Sequence, residues 1–439
     1  MNRPTIYVVA TALVSATLVY FMTDRIFGLF DWTYHAEPAY RVLTGELPYR
    51  DFFLVLTPGV IFLFAGLLAL GGGNIPLVVF AMVAQIVVIL LSYDALRRIV
   101  RDEKIAFFLV LPVAGAVHVM QPYPSYEPSA LLFILASFVL LLRALERKNK
   151  WSLWFFAGFF AAVAPLFKQN TGGVYLMAFF GTLLLARFLA DDRPSWKEIV
   201  LSGAGASVAA FGFLIWLLSI GALENFIYQT YVFPGEVRSP LKSVPALVKM
   251  YLAPHALLFY AAFFGAIAAF ALKPLKPRRP FASRAAILFA FVVVPLCVGV
   301  ALFVVDKHVA YNLRSYILPA SVAFMFAALA FVLADVYRKI KRRRPLATLD
   351  LVPIAPFLVL YASHLSQGPL GTSFFIEAPT IMFLVAAVYR KIEPEKIELF
   401  SATDLQSAMK IFGVVFALYV TFFSWSVIRW AYFYDDPRP

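Results

Sequence analysis

The residues able to do chemistry are crowded into one stretch, Phe30 to Gly59, FDWTYHAEPAYRVLTGELPYRDFFLVLTPG, directly after a first hydrophobic run. It carries Asp31, His35, Glu37, Arg41, Glu46, Arg50 and Asp51 among Trp32, Tyr34 and Tyr49. A carboxylate held at a membrane surface beside aromatic rings is partly desolvated, and such a group suits the work of a general base. Asp31 has that setting. Its plainer role is to cap a short helix that has Pro38 in its first turn, ends near Thr44 and has Gly45 just past its end.

Three further charged residues stand at the ends of apolar runs on the same side. Glu127, in QPYPSYEPSALLF, is either a helix-start glutamate favoured by the helix dipole or an acid with a chemical role. Lys168, in APLFKQNTGG and followed by Gln169, runs against the charge bias of the chain; it either snorkels to phospholipid or grips a lipid phosphate. Arg314, in DKHVAYNLRSYILP with His308 nearby, has the same two roles open. All five histidines, His35, His118, His255, His308 and His364, fall at or near this side, but no HExxH or other ligand spacing occurs. No metal site is assigned from them, and a divalent cation stays an open possibility.

The elements that must position these groups are transmembrane helices. With 62% hydrophobic and 14% charged residues and a mean hydropathy of +0.82, the 439-residue chain is too apolar for a soluble protein, and its runs are near the length that crosses a bilayer as helix. Thirteen spans are expected, near 5–22, 76–94, 105–119, 128–143, 151–167, 173–190, 199–219, 255–272, 285–305, 316–334, 350–363, 373–389 and 411–428. The first reads as a retained span and not a removed signal. Val60 to Leu70, before Gly71-Gly72-Gly73, is too short to cross and is expected to lie in the interface. With the N-terminus cytoplasmic, the clusters at Arg97–Lys104, Lys273–Arg279 and Arg338–Arg344 fall inside, as the positive-inside bias requires.

These clusters account for the net charge of +13, and their place in short loops at span ends points to anionic membrane lipids and not to nucleic acid. The single cysteine, Cys297, lies inside a span as a buried small hydrophobe. SGAGAS at 202–207 has no strand before it, so it reads as a helix-packing surface and not a nucleotide loop. The expected architecture is therefore all-α and polytopic, one membrane domain over 1–439 without a separate soluble domain. Its larger outer loops are 23–75 and 220–254.

The order of a first span, Asp31, a short helix, GELPYRDF at 45–52 and TPG at 57–59 resembles the GT-C membrane glycosyltransferases, especially the branch of protein mannosyltransferases and lipid A aminoarabinose transferases. Ala39, Leu43, Gly45, Pro48, Tyr49, Asp51 and Phe52 fit that branch's pattern, while Trp32 stands where relatives carry a second acid. Glu127, Lys168 and Arg314 to Pro319 match weaker motifs of the same branch. The resemblance implies an inverting transfer of a sugar from a polyprenyl-phosphate carrier to a lipid, glycan or protein acceptor, on the outer face of the plasma membrane. It implies Asp31 as base, Glu127 as an orienting acid, and Lys168 and Arg314 as holders of the departing phosphate. Glu37, Tyr49, Arg50, Asp51, Gln169, His308 and His364 are then candidates for substrate contact. Val60 to Leu70 would guide the lipid tail, and 220–254, with Glu224, Glu236, Arg238 and Lys242, is expected on the acceptor side; Tyr123, Tyr126, Tyr228, Tyr231 and Phe233 either stack on a sugar ring or anchor at the interface. A lipid flippase or other transporter is the rival class, but it predicts ionisable groups near mid-membrane, whereas here they sit at span ends.

Overall fold

The computed structural model describes residues 3–26, 30–119, 121–147, 150–237, 332–352 and 378–391, with a few isolated positions beyond them. Helix α1 (Arg3–Ile26) leads into α2 (Phe30–Leu43), a loop, and α3 (Gly59–Ala69). There follow α4 (Ile75–Val100), α5 (Glu103–Ala114), α6 (Tyr126–Glu146), α7 (Trp151–Phe167), α8 (Gln169–Leu189) and α9 (Trp196–Ser219). The short helices α10 (Leu223–Ile227) and α11 (Phe233–Val237) flank a π-turn at Tyr228–Val232, and α12 (Ala378–Lys391) lies in the C-terminal half.

The described residues form an all-α polytopic membrane architecture. Five helices, within α1, α4, α6, α8 and α9, are long and apolar enough to cross a membrane. The expected span at 105–119 is interrupted: α5 stops at Ala114 after 12 residues, about 18 Å at 1.5 Å per residue. Pro112 and Gly115 mark the break, Val117 takes a left-handed φ of 57°, and a 3-10 turn occupies Val117–Val119. The spans expected at 255–272, 285–305 and 411–428 lie outside the described residues, as do most of 316–334 and half of 350–363.

Short connections make successive helices antiparallel. The α7–α9 contact uses the small residues flagged in the sequence. A Cβ on Gly205 would sit 1.9 Å from the Phe155 carbonyl oxygen, and one on Gly158 would sit 1.9 Å from that of Ser202. The two backbones therefore touch, as small-residue interfaces in membranes allow. Between α1, α4 and α5, buried Gln85 is satisfied from three directions: its amide donates to Ser15 Oγ at 2.9 Å and the Val113 carbonyl at 3.0 Å, and its oxygen accepts from His118 N–H at 3.1 Å.

Two expectations about the first outer loop are revised. The helix there begins at Phe30, so Asp31 lies in its first turn and not before it, and Pro38 is interior. Nothing between Phe30 and Glu37 breaks a helix, so the proline does not mark its start. By contrast Val60 to Leu70 is a short helix as expected. It is no loose surface element, however: Val60, Ile61, Phe64 and Ala65 are buried in a cluster with Tyr49, Phe52, Tyr123 and Phe226.

Candidate active site

Lys168 is the one residue between α7 and α8. Its extended backbone (φ −145°, ψ 106°) breaks what would otherwise be a continuous helix and turns the side chain inward. The hairpin is tight because Gly172 lets α8 approach α7: a Cβ there would lie 2.4 Å from the backbone at Ala164 and Pro165. Glu127 sits in the first turn of α6, whose N-terminal end meets the end of α7. The two side chains form an ion pair across 41 residues of sequence, with 8% of the lysine side chain and 2% of the glutamate side chain exposed.

Aromatic rings enclose this pair. The Lys168 ammonium lies 4.7 Å from the centre of the Tyr126 ring, within cation–π range. Tyr126 stacks in turn on buried His35 of α2 at 5.4 Å. Close by along the chain are buried hydroxyls without a hydrogen-bond partner among the described residues, Ser125 and Ser129 beside Glu127 and Thr171 beside Lys168, and Thr57 is another, two residues after the Val55 that Gln169 bonds. Gln169 donates from its amide to the Val55 carbonyl at 3.2 Å, leaving Oε1 buried and unpartnered. A buried ion pair with unmet polar atoms on neighbouring residues is an arrangement that suits a polar ligand.

The GELPYRDF block builds the wall of this region. Gly45, at φ 95°, ends α2 in the left-handed conformation. Arg41 bonds Glu46 at 2.5 Å and lies 4.5 Å over the Phe52 ring. Asp51 accepts from Leu47 N–H and pairs with Arg50, both at 2.8 Å. These bonds, Arg50 first, hold the Asp51 carboxyl below its ordinary pKa. Tyr49 is buried, at a left-handed φ of 67°, and its hydroxyl donates to the Leu56 carbonyl at 2.5 Å. Burial pushes that phenol far above its usual range.

Two amides from the 220–237 segment hold this strained loop. Asn225 and Gln229 both donate to the Tyr49 carbonyl, at 3.0 and 3.3 Å, and Gln229 Oε1 accepts from Leu54 N–H at 2.7 Å. The π-turn at Tyr228–Val232 carries Gln229. The sequence held no sign of this clamp, because asparagine and glutamine in an outer loop are unremarkable.

An apolar groove of about 530 Å³ opens between α3, α7 and α9, lined by Gly59, Phe62, Val163, Leu166, Phe213 and Trp216 among others. It reaches Leu166, two residues before Lys168. A Cβ on Gly59 would lie 2.5 Å from the Leu166 carbonyl oxygen, so glycine is what permits α3 to close one side.

Of the expected site residues, the structure brings together Glu127, Lys168 and Gln169. Glu37 is on the exposed side of α2, 3.8 Å from Arg41, and Arg50 and Asp51 pair on the outer surface of the loop. The backbone of Asp31 is in the first turn of α2, with its side chain outside the described set; Arg314, His308 and His364 also lie outside it. The structure sets Tyr126 and His35, both already singled out in the sequence, next to the pair, and adds the buried hydroxyls, whose types are too common beside membrane spans to stand out in the sequence. Among the described residues no group of three or more histidine, cysteine, aspartate or glutamate side chains is placed to hold a metal.

Residues 56–218 match the family described as dolichyl-phosphate-mannose-protein mannosyltransferase. No curated protein matches the chain. Among solved structures it resembles the oligosaccharyltransferase of Archaeoglobus fulgidus in the apo form, at 13% identity and a TM-score of 0.46, covering 96% of this chain and 56% of that one. The oligosaccharyltransferase AglB from Archaeoglobus fulgidus, in complex with an inhibitory peptide and a dolichol-phosphate, gives 14%, 0.48, 96% and 55%. ArnT from Cupriavidus metallidurans bound to undecaprenyl phosphate gives 15%, 0.43, 89% and 81%. This chain thus spans little more than half the length of the archaeal structures, and all three scores lie below 0.5. The family match runs from α3 into α9, includes Glu127 and Lys168, and falls on the part of the chain whose motifs resemble the protein mannosyltransferase branch.

Proposed function

We propose that this protein is an inverting glycosyltransferase that moves a sugar from a polyprenyl-phosphate carrier to an acceptor at the outer face of the membrane. The observation that carries the reading is the buried Glu127–Lys168 pair, with the lysine two residues beyond Leu166 of an apolar groove. The groove suits a prenyl chain, and the lysine two residues past its Leu166 wall suits the phosphate that the chain carries.

On this reading Lys168 exchanges Glu127 for the donor phosphate, whose charge grows as the bond from the anomeric carbon to the phosphate oxygen breaks. Arg314 joins it there. The acceptor hydroxyl attacks the same carbon from the opposite face, and its proton passes to Asp31. One C–O bond forms as one breaks, and the configuration inverts. Glu127, released from the lysine, accepts a hydrogen bond from a sugar or acceptor hydroxyl, with Gln169 Oε1 and the neighbouring hydroxyls as further partners. The clamp on Tyr49 holds the loop that follows α2, and the segment beyond it, with exposed Tyr228 and Tyr231, faces the acceptor.

The test is release of polyprenyl phosphate from a panel of polyprenyl-phosphate sugars, with crude membrane acceptors, by wild type and Asp31→Asn. Release by wild type alone supports transfer with Asp31 as base. Intact donors with both proteins, despite a folded sample, reject the enzyme reading and favour a flippase, which leaves its lipid chemically unchanged. Running the assay with and without a chelator decides whether a divalent cation takes part.

A further inference from the structure

At the end of the helix bundle opposite the Glu127–Lys168 pair is a second cavity, of about 180 Å³, whose polar lining is charged: Arg98, Arg101, Arg390, Glu146 and Asp192. Four parts of the chain meet there, namely the α4–α5 turn, the end of α6, the α8–α9 turn, and the C-terminal pieces around Leu349 and Arg390.

The charges are not balanced where they meet. Arg98 is already engaged, bonding Asp94 at 3.2 Å and pairing with Glu146. Asp192 accepts from Thr348 N–H at 2.6 Å. Asp192 keeps its charge and, with Asp350, acts on Arg390, so the lining holds three arginines against two carboxylates, with Arg101 and Arg390 acting on each other across the space. Arg101 is the left-handed residue that ends α4, at φ 60°. Arg390 has a buried Nη1 with no hydrogen-bond partner among the described residues. A buried guanidinium nitrogen left unmet costs free energy that an oxyanion would recover. The cavity is well above the roughly 10–15 Å³ that one water needs, so it has room for a tetrahedral anion.

We propose that this cavity is a phosphate-binding site formed by Arg101 and Arg390, taking either the headgroup phosphate of an anionic lipid or a free phosphate group. It is separate from the transfer site and does not depend on the proposed reaction. A bound phosphate bridges the α4–α5 turn to α12, tying the N-terminal helices to the C-terminal half.

Native mass spectrometry of the full-length protein tests this with two probes, phosphatidylglycerol against phosphatidylcholine, and inorganic phosphate. Wild type is expected to retain one phosphatidylglycerol or one phosphate beyond the background. R101Q/R390Q is expected to bind at least tenfold more weakly, while R342Q/R343Q, on the neighbouring basic run, binds as wild type. Retention of the lipid alone assigns a headgroup site, and retention of inorganic phosphate a site for the free anion. The proposal is overturned if wild type retains neither probe, or if R101Q/R390Q retains them as wild type does. If R101Q/R390Q does not fold, R390K and R101K replace it: the lysines keep the charge but lose the planar fork, so weaker binding supports the site and unchanged binding overturns it.

Discussion

Glu127→Gln separates a structural ion pair from a phosphate-holding lysine. With only 2% and 8% of the two side chains exposed, removal of the carboxylate strands the Lys168 ammonium in a buried setting. Such a loss costs about 3–5 kcal/mol. The Tyr126 ring at 4.7 Å remains and offsets part of it, by about 1–2 kcal/mol. If Lys168 holds the donor phosphate, that phosphate replaces Glu127 as counter-ion, and wild type must give up the pair to bind it. E127Q has no pair to give up. Polyprenyl phosphate should therefore bind E127Q more tightly than wild type by about 1.5–3 kcal/mol, the worth of a hydrogen bond to a charged group, or roughly tenfold to a hundredfold in Kd. Lys168→Met should shift affinity the other way by a similar factor.

Thermal unfolding of the purified protein across a polyprenyl phosphate titration reads this directly, since ligand at one hundred times Kd adds about 2.7 kcal/mol. Apo E127Q should melt below wild type and recover with ligand, and K168M should melt low and stay low. Equal responses of E127Q, K168M and wild type would refute the assignment of the lysine to phosphate and leave the pair a packing feature.

Two further outcomes are expected. Gly59→Ala puts a methyl group 2.5 Å from the Leu166 carbonyl oxygen, so α3 must shift from α7. It should cost about 1–3 kcal/mol and lower donor turnover, whereas Gly66→Ala on the same helix, with open space, should be neutral or stabilising; denaturation and release assays on the two variants decide it. Asp51, held below its ordinary pKa by Arg50 and Leu47 N–H, contributes to the loop fully above the unfolded carboxylate pKa and loses that contribution as pH falls through the lowered value. Proteolysis of the 45–57 loop should therefore rise on acidification in wild type, and in Asp51→Asn it should be high already at neutral pH and change little with acid.

Composition settled the membrane class and helical architecture from the sequence, because so apolar a chain satisfies its backbone in lipid only as helix or closed barrel, and its runs have helix length. Local spacing was enough for the short helix before the triple glycine, the stop at Gly45 and the packing role of Gly205. It misplaced the start of α2, where Pro38 looked like a first-turn proline. Glu127 and Lys168 each stood out in the sequence, as charges at the ends of apolar runs. That they pair was not legible, nor was the grip of Gln229 on the Tyr49 carbonyl 180 residues away. Hydropathy and propensity are properties of neighbours along the chain, whereas these contacts exist only because antiparallel helices of particular length and crossing bring distant ends together, and glycines at 59, 172 and 205 let their backbones close. The polar loop could be found from residue types; which of its groups face a ligand and which hold the loop itself depended on how the helices pack.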